Sequence, residues 1–262
     1  MRPTKIKIIE SIKQKLSEIE QKENVRIIYA CESGSRAWGF ESEDSDYDVR
    51  FVYVRNAQDY LHLEEKRDVI EAELNEVYDI NGWDIQKLLR LLMKSNPTIF
   101  EWAASLIVYR TSEDWEKVKA ILSEYFQLDK SMYHYLSMLK NNVRNYFCSD
   151  DIILKKYLYI LRPALALEWI MQYKCPPPMK FSELAENCLP SELMPSVEQI
   201  LEAKKSADEK AKGHRAEDID YFVQTKILDS QAYLQSYKRE NSLTWEKLNE
   251  VFLSILKKGA IK

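Results

Sequence analysis

The sequence predicts an α+β protein: a mixed α/β N-terminal half followed by an all-α C-terminal half, divided near residue 125. Three observations point there. Apolar β-prone runs are confined to the first part of the chain, and helical periodicity dominates from about residue 130 onwards. The 262 residues also include only five glycines, which suits long regular elements better than many turns.

Taken in order, Thr4 can cap a first helix whose Ile8, Ile12, Leu16 and Ile19 form one apolar stripe. Val25–Cys31 is an almost continuous β-prone run that suits a buried strand. After the Glu32–Phe40 loop and an acidic stretch, Tyr47–Val54 forms a second strand. Residues 69–82 resemble a hairpin turning near Asn75 and Glu76. Asp84 begins a helix buried through Leu88, Leu91 and Leu92, and Thr98 to Glu101 has capping-box spacing for another. Beyond residue 130 only Pro176–Pro178 and the polar Ser206–Asp218 stretch interrupt the helical pattern.

Composition narrows the function. Hydrophobic residues make up 45% of the chain, enough for a real core, so disorder is excluded. The balance of 38 Lys+Arg against 42 Asp+Glu gives a net charge of -4, which excludes a strongly basic nucleic-acid binder. Cys31, Cys148, Cys175 and Cys188 form no C-x-x-C pair, and His62, His134 and His214 lack partner spacing, so neither a zinc site nor a disulfide framework is expected. The N-terminus lacks a signal peptide's apolar core, and no run approaches the length of a membrane span. The expectation is a soluble, reduced, cytoplasmic protein with no membrane partner.

Chemistry concentrates around two of the few glycines. Gly34 and Gly39 flank Ser-Arg-Ala-Trp directly after a strand, a setting in which backbone N–H groups and the Ser35 hydroxyl can approach phosphate oxygens. After ten residues that follow Ser35 come Asp46 and Asp48, at the head of an otherwise apolar strand. A spacing of two puts both carboxylates on one strand face with Arg50, while Tyr47, Val49 and Phe51 point into the core. Parallel carboxylates repel, and two Mg²⁺ ions about 3.5–4 Å apart would satisfy them while stabilising an in-line phosphoryl displacement.

Gly34-Ser35, ten residues, then Asp46-Tyr-Asp48-Val resembles the signature of the DNA polymerase β superfamily of nucleotidyltransferases. The longer strings Gly-Ser-Arg-Ala-Trp-Gly-Phe40, Ser45-Asp-Tyr-Asp-Val-Arg-Phe51, Gly82-Trp-Asp and Lys155-Lys-Tyr-Leu-Tyr-Ile-Leu-Arg-Pro163 are similar to one branch. That branch is the predicted-nucleotidyltransferase, or RNA-repair-pathway polymerase-β-like, group. The matches span about residues 29–180. The resemblance implies a nucleotidyltransferase catalytic domain at residues 1–125 and a helical domain at 126–262 completing the nucleotide and acceptor cleft. It also implies transfer of a nucleoside monophosphate from an NTP, with release of pyrophosphate, using two Mg²⁺ ions.

The resemblance calls for a third carboxylate on a neighbouring strand. Tyr78-Asp79-Ile80 fits that context better than Asp84, which stands at a helix start where an N-cap is the ordinary role. Glu71 and Glu73 are weaker candidates. Gly34 and Ser35 would then cradle the phosphates, with Asp46, Asp48 and Asp79 on the metals. Arg36 is divided between phosphate contact and a salt bridge. Lys155, Tyr159 and Arg162 recur on one helix face, beside a stripe of Leu154, Leu158, Leu161 and Leu165, and are assigned to the nucleotide. Residues 130–180 carry eight Lys/Arg against three Asp/Glu, a local +5 that suits an RNA acceptor. Trp38 and Glu101 are assigned to packing and capping, and the Lys204–Lys212 run to solvated surface. The open alternatives are a catalytically inactive nucleotide-binding or antitoxin-like protein, and an adenylyltransferase acting on proteins or small molecules.

Overall fold

The computed structural model describes residues 5–42, 44–147, 151–206, 212–238 and 243–259. Helix α1 (Lys5–Glu23) buries Ile8, Ile12, Leu16 and Ile19 along one side, as their spacing requires. Thr4, expected to cap it, lies outside the described residues. Strand β1 (Arg26–Glu32), the short helix α2 (Gly34–Trp38) and strand β2 (Tyr47–Val54) follow. Strands β3 (Val69–Leu74) and β4 (Tyr78–Asp84) form the expected hairpin. The side-chain oxygen of Asn75 closes its turn by accepting from the N–H groups of Val77 and Tyr78, each at 2.8 Å.

Helix α3 (Ile85–Met93) begins at Asp84, whose carboxylate accepts from the Gln86 N–H at 2.7 Å, a cap as expected. Helix α4 (Pro97–Ala103) starts differently from the expectation. Its cap is Asn96, which accepts from the Thr98 N–H at 2.9 Å, with Pro97 in the first turn. Proline is pre-set for that position and asparagine caps better than threonine, so this pair displaces the Thr98–Glu101 box. Strand β5 (Val108–Arg110) and helix α5 (Glu113–Ile121) complete the first half.

The sheet runs β3-β4-β2-β1-β5, with β2 and β4 parallel and the remaining neighbours antiparallel. Alternation along β2 divides its side chains. Tyr47, Val49, Phe51 and Tyr53 pack with α1, while Val52 and Val54 join the apolar cluster of α3, α4 and α5.

The second half contains α6 (Leu128–Tyr146), β6 (Asp151–Ile153), α7 (Leu154–Tyr173), α8 (Phe181–Cys188), α9 (Met194–Ser206), β7 (Lys212–His214), α10 (Glu217–Ser236) and α11 (Glu246–Gly259). The antiparallel β6–β7 ribbon, three residues per strand, is too short for periodicity to reveal. Leu158, Leu161 and Leu165 are fully buried, as the stripe requires. Pro163 does not break α7. Its ring takes away the helix partner of the Tyr159 carbonyl. Asn142 of α6 replaces that partner, donating to the carbonyl at 2.8 Å.

Packing crosses residue 125 in both directions. Phe40 and Trp38 belong to the apolar cluster of the helical half. Leu248 and Ile255 of α11 return to the cluster of α3 and α5, and the Tyr125 hydroxyl donates to the Thr244 carbonyl at 2.9 Å. The five-stranded sheet thus ends before residue 125, while α11 packs back on the first half. Among the described residues, no helix is long and apolar enough to cross a membrane.

Candidate active site

Glycine is obligatory at position 34 on two grounds. Its φ of +59° lies in the left-handed region. A Cβ there would also stand 1.9 Å from Asp48 Oδ2. The Gly34-Ser35 turn thus rests directly on the carboxylate of Asp48, so the two halves of the sequence motif touch. Gly39, with φ +83°, ends α2 by donating its N–H to the Ser35 and Arg36 carbonyls. The chain then turns to Phe40 and the apolar cluster beneath.

Asp48 and Asp79 are partners in register across the parallel β2–β4 pair. Arg50 bridges them, one guanidinium nitrogen lying 2.9 Å from Asp48 Oδ1 and 2.7 Å from Asp79 Oδ2. It anchors itself further on the Asp79 carbonyl at 2.8 Å. The protein thus supplies a cation between the facing carboxylates of Asp48 and Asp79. Burial holds the Asp48 carboxyl up at about 6; Arg50 opposes the shift, and Asp46 and Asp79 add to it.

Glu32, absent from the candidates drawn from sequence, stands behind Asp48. It is fully buried at the end of β1, accepting from the Asp48 N–H at 2.8 Å and from the Tyr109 hydroxyl. Burial raises its carboxyl to about 7, against those two hydrogen bonds. An acid closing an otherwise apolar strand was its available signal.

Arg36 holds the loop through its backbone. It donates to the Asp46 carbonyl at 2.9 Å and the Ser45 carbonyl at 2.6 Å, and lies over the Tyr47 ring at 3.9 Å. It therefore holds the segment carrying Asp46 in place. Neither of the two roles weighed for it, phosphate contact or salt bridge, is the one these contacts describe.

Of these residues, Gly34, Asp46, Asp48 and Arg50 line a cavity of about 320 Å³, while Asp79 does not line it. Gly34, Ser35, Asp46 and Asp48 form one side, and Tyr159 of α7 and Lys204 of α9 reach it from the helical half. Trp38 and Phe40 pack edge-on against the Tyr159 ring. A larger cavity, about 610 Å³, lies past the far end of β2 around Arg55; of the residues weighed for the site it is lined only by Asp84, the rival to Asp79.

Lys155 and Arg162 do not line the smaller cavity. Lys155 is half-buried in the first turn of α7. Arg162, 3% exposed, donates to Glu101 Oε1 at 2.8 Å and stacks on Trp38 at 4.6 Å. The Tyr135 hydroxyl donates to the same oxygen at 2.8 Å. Glu101 therefore takes part in a buried ion pair between α4 and α7, in place of the capping role expected. Lys204 departs from expectation in the same way: it is buried with its ammonium over the Phe40 ring, not solvated.

A family model described as "RNA repair pathway DNA polymerase beta family" (RlaP) matches residues 8–254. The chain belongs to this family. It is also 40% identical over 241 residues to the uncharacterized protein YcgL of Bacillus subtilis (strain 168), covering 91% of this chain and 93% of that protein. The mixed sheet followed by a helical region agrees with membership.

The donor set suits magnesium in chemistry. Mg²⁺ is usually held by one or two carboxylates together with substrate phosphates, not by a closed protein cage. Asp46 and Asp48 offer two such carboxylates at the cavity. Among the described residues, no group of three or more His, Cys, Asp or Glu is placed to hold an ion unaided.

Proposed function

We propose that the chain is a Mg²⁺-dependent nucleotidyltransferase that moves a nucleoside monophosphate from an NTP to an acceptor hydroxyl, with an RNA end as the acceptor. The observation that carries this reading is the seating of Gly34 on the Asp48 carboxylate, which puts a phosphate-sized turn and two cavity-lining acids in one place. The family's description favours RNA.

The Gly34-Ser35 turn holds the phosphate tail, since backbone and hydroxyl donors there meet no intervening side chain. Asp46 and Asp48 hold the magnesium, with Asp79 beside them on β4. When bound, the metal supplies charge neutralisation at the transferring phosphoryl group. The acceptor oxygen bonds to the α-phosphorus, the bond to the β-phosphate oxygen breaks, and pyrophosphate departs. The acceptor proton passes to Asp79. Tyr159, with Trp38 behind it, offers a ring face to the base. Positioning and charge carry the catalysis, so no protein nucleophile is needed.

The test is pyrophosphate release from each NTP with Mg²⁺ and total RNA. Asp46→Asn and Asp48→Asn should each lower the rate by at least about 100-fold while circular dichroism stays unchanged. Turnover retained in both variants would refute the assignment.

A further inference from the structure

A pair of magnesium ions about 3.5–4 Å apart has to share the oxygens of the carboxylates around it. Here one of the three acids is already engaged by the protein. Asp79 meets a guanidinium nitrogen of Arg50 at 2.7 Å, and the same nitrogen reaches Asp48 Oδ1 at 2.9 Å. Arg50 lines the cavity together with Asp46 and Asp48, whereas Asp79 does not. An ion seated in the cavity therefore meets Asp46 and Asp48 directly, and a guanidinium on the side of Asp79. That guanidinium is fixed by more than the acids it joins. Its other terminal nitrogen donates to the Asp79 carbonyl at 2.8 Å and to the Val49 carbonyl at 3.2 Å. Four contacts of a five-donor group are thus made within β2 and β4.

We infer that Arg50 is a permanent cation of the site that takes the place of a second metal, so that the chain works with one Mg²⁺ held by Asp46 and Asp48. This deepens the nucleotidyltransferase reading and rests on it. Three features favour a resident guanidinium over one that leaves when metal arrives. Residues 48 and 50 share a face of β2, and Asp79 is the register partner of Asp48 on β4, so strand geometry itself puts Arg50 beside both acids. The two carbonyls hold it independently of what the carboxylates bind. Charge agrees as well: three carboxylates and one guanidinium carry a net formal charge that a single divalent ion cancels and two would exceed. The Asp79 oxygen that Arg50 leaves takes only a 3.3 Å hydrogen bond, from Asn81, and so stays available to the acceptor proton.

The experiment counts bound Mn²⁺ by electron paramagnetic resonance, with the full chain in excess over the α,β-methylene analogue of each NTP. Wild type, Arg50→Lys and Arg50→Met are compared, with circular dichroism to confirm folding. The expected result is one Mn²⁺ per nucleotide-bound chain in wild type and in Arg50→Lys. Arg50→Met should hold two, because Asp48 and Asp79 can then share a second ion, and a spin coupling between neighbouring Mn²⁺ ions should appear in that variant alone. Two coupled ions in the wild type would overturn the role of Arg50, even if the methionine variant folds poorly, and leave the nucleotidyltransferase reading standing. A single ion in folded Arg50→Met would do the same. Failure of the wild type to bind any Mn²⁺ with any of the analogues would overturn both.

Discussion

Replacing Arg162 by methionine removes a guanidinium from beneath Trp38 and leaves Glu101 buried with a single partner, the Tyr135 hydroxyl. The exposures are small: 4% for the Arg162 side chain and 12% for that of Glu101. Breaking one side of a buried ion pair typically costs about 3–5 kcal/mol, because the abandoned charge remains desolvated. Glu101→Gln should destabilise by a similar amount, since the guanidinium then lacks its carboxylate. The double variant removes both charges and keeps an amide beside Tyr135, so it should lie within about 1–2 kcal/mol of wild type. The pair should therefore show a coupling of several kcal/mol, a large share of the stability of an ordinary domain, which is about 5–15 kcal/mol. Urea denaturation of all four proteins at pH 7.5 measures it. Additive losses, or single-variant losses below about 1 kcal/mol, would refute the strut assigned to this pair. Calorimetry on the same set provides a second check: a double variant of wild-type stability that binds tripolyphosphate tenfold more weakly would return Arg162 to the phosphate site.

Three further outcomes are expected. Gly34→Ala places a methyl group against Asp48 and a side chain at positive φ; it should destabilise by at least about 1–2 kcal/mol from the backbone alone and displace the carboxylate, abolishing pyrophosphate release. Full activity in this variant would show that the turn and Asp48 can separate without harm. Asn142→Ala leaves the Tyr159 carbonyl without its replacement partner and should cost about 1–3 kcal/mol in urea titrations; no loss would mean that water serves equally well. The third concerns pH in EDTA. The Asp48 carboxyl is raised from 3.8 to about 6 in the fold, so the native state binds its proton more tightly than the unfolded chain does. Its contribution is fully present below pH 3.8 and is lost as pH rises through about 6. Asp48→Asn should accordingly be more stable than wild type at pH 7.5, by up to about 3 kcal/mol, with the advantage shrinking towards pH 4. An advantage independent of pH would contradict the burial argument.

Much of the sheet could be read from sequence because its signals are local. The stripe of α1, the apolar run of β1, the alternation of β2 and the Asn75 turn each lie within a few residues. Asp46 and Asp48 stood out for the same reason. What escaped depended on partners far along the chain. Arg162 meets Glu101 61 residues away, so its helix-face position could not distinguish a phosphate ligand from a strut. Lys204 stands in a charged run whose composition suggests solvent, and only the packing of α9 near Phe40 buries it. Arg36 acts through backbone carbonyls, which carry no residue-type signature. Strand β5 has three residues, too few to alternate recognisably.

The return of α11 to the apolar cluster of α3 and α5 bears on how the protein is made. During synthesis the sheet and its flanking helices leave the ribosome long before Leu248 and Ile255 exist. Until those residues arrive, the surface they will cover is bare, a hazard for a nascent chain. The apolar cluster behind the sheet is therefore encoded early but sealed late, and cutting the gene after residue 125 would yield a fragment missing part of its own cover.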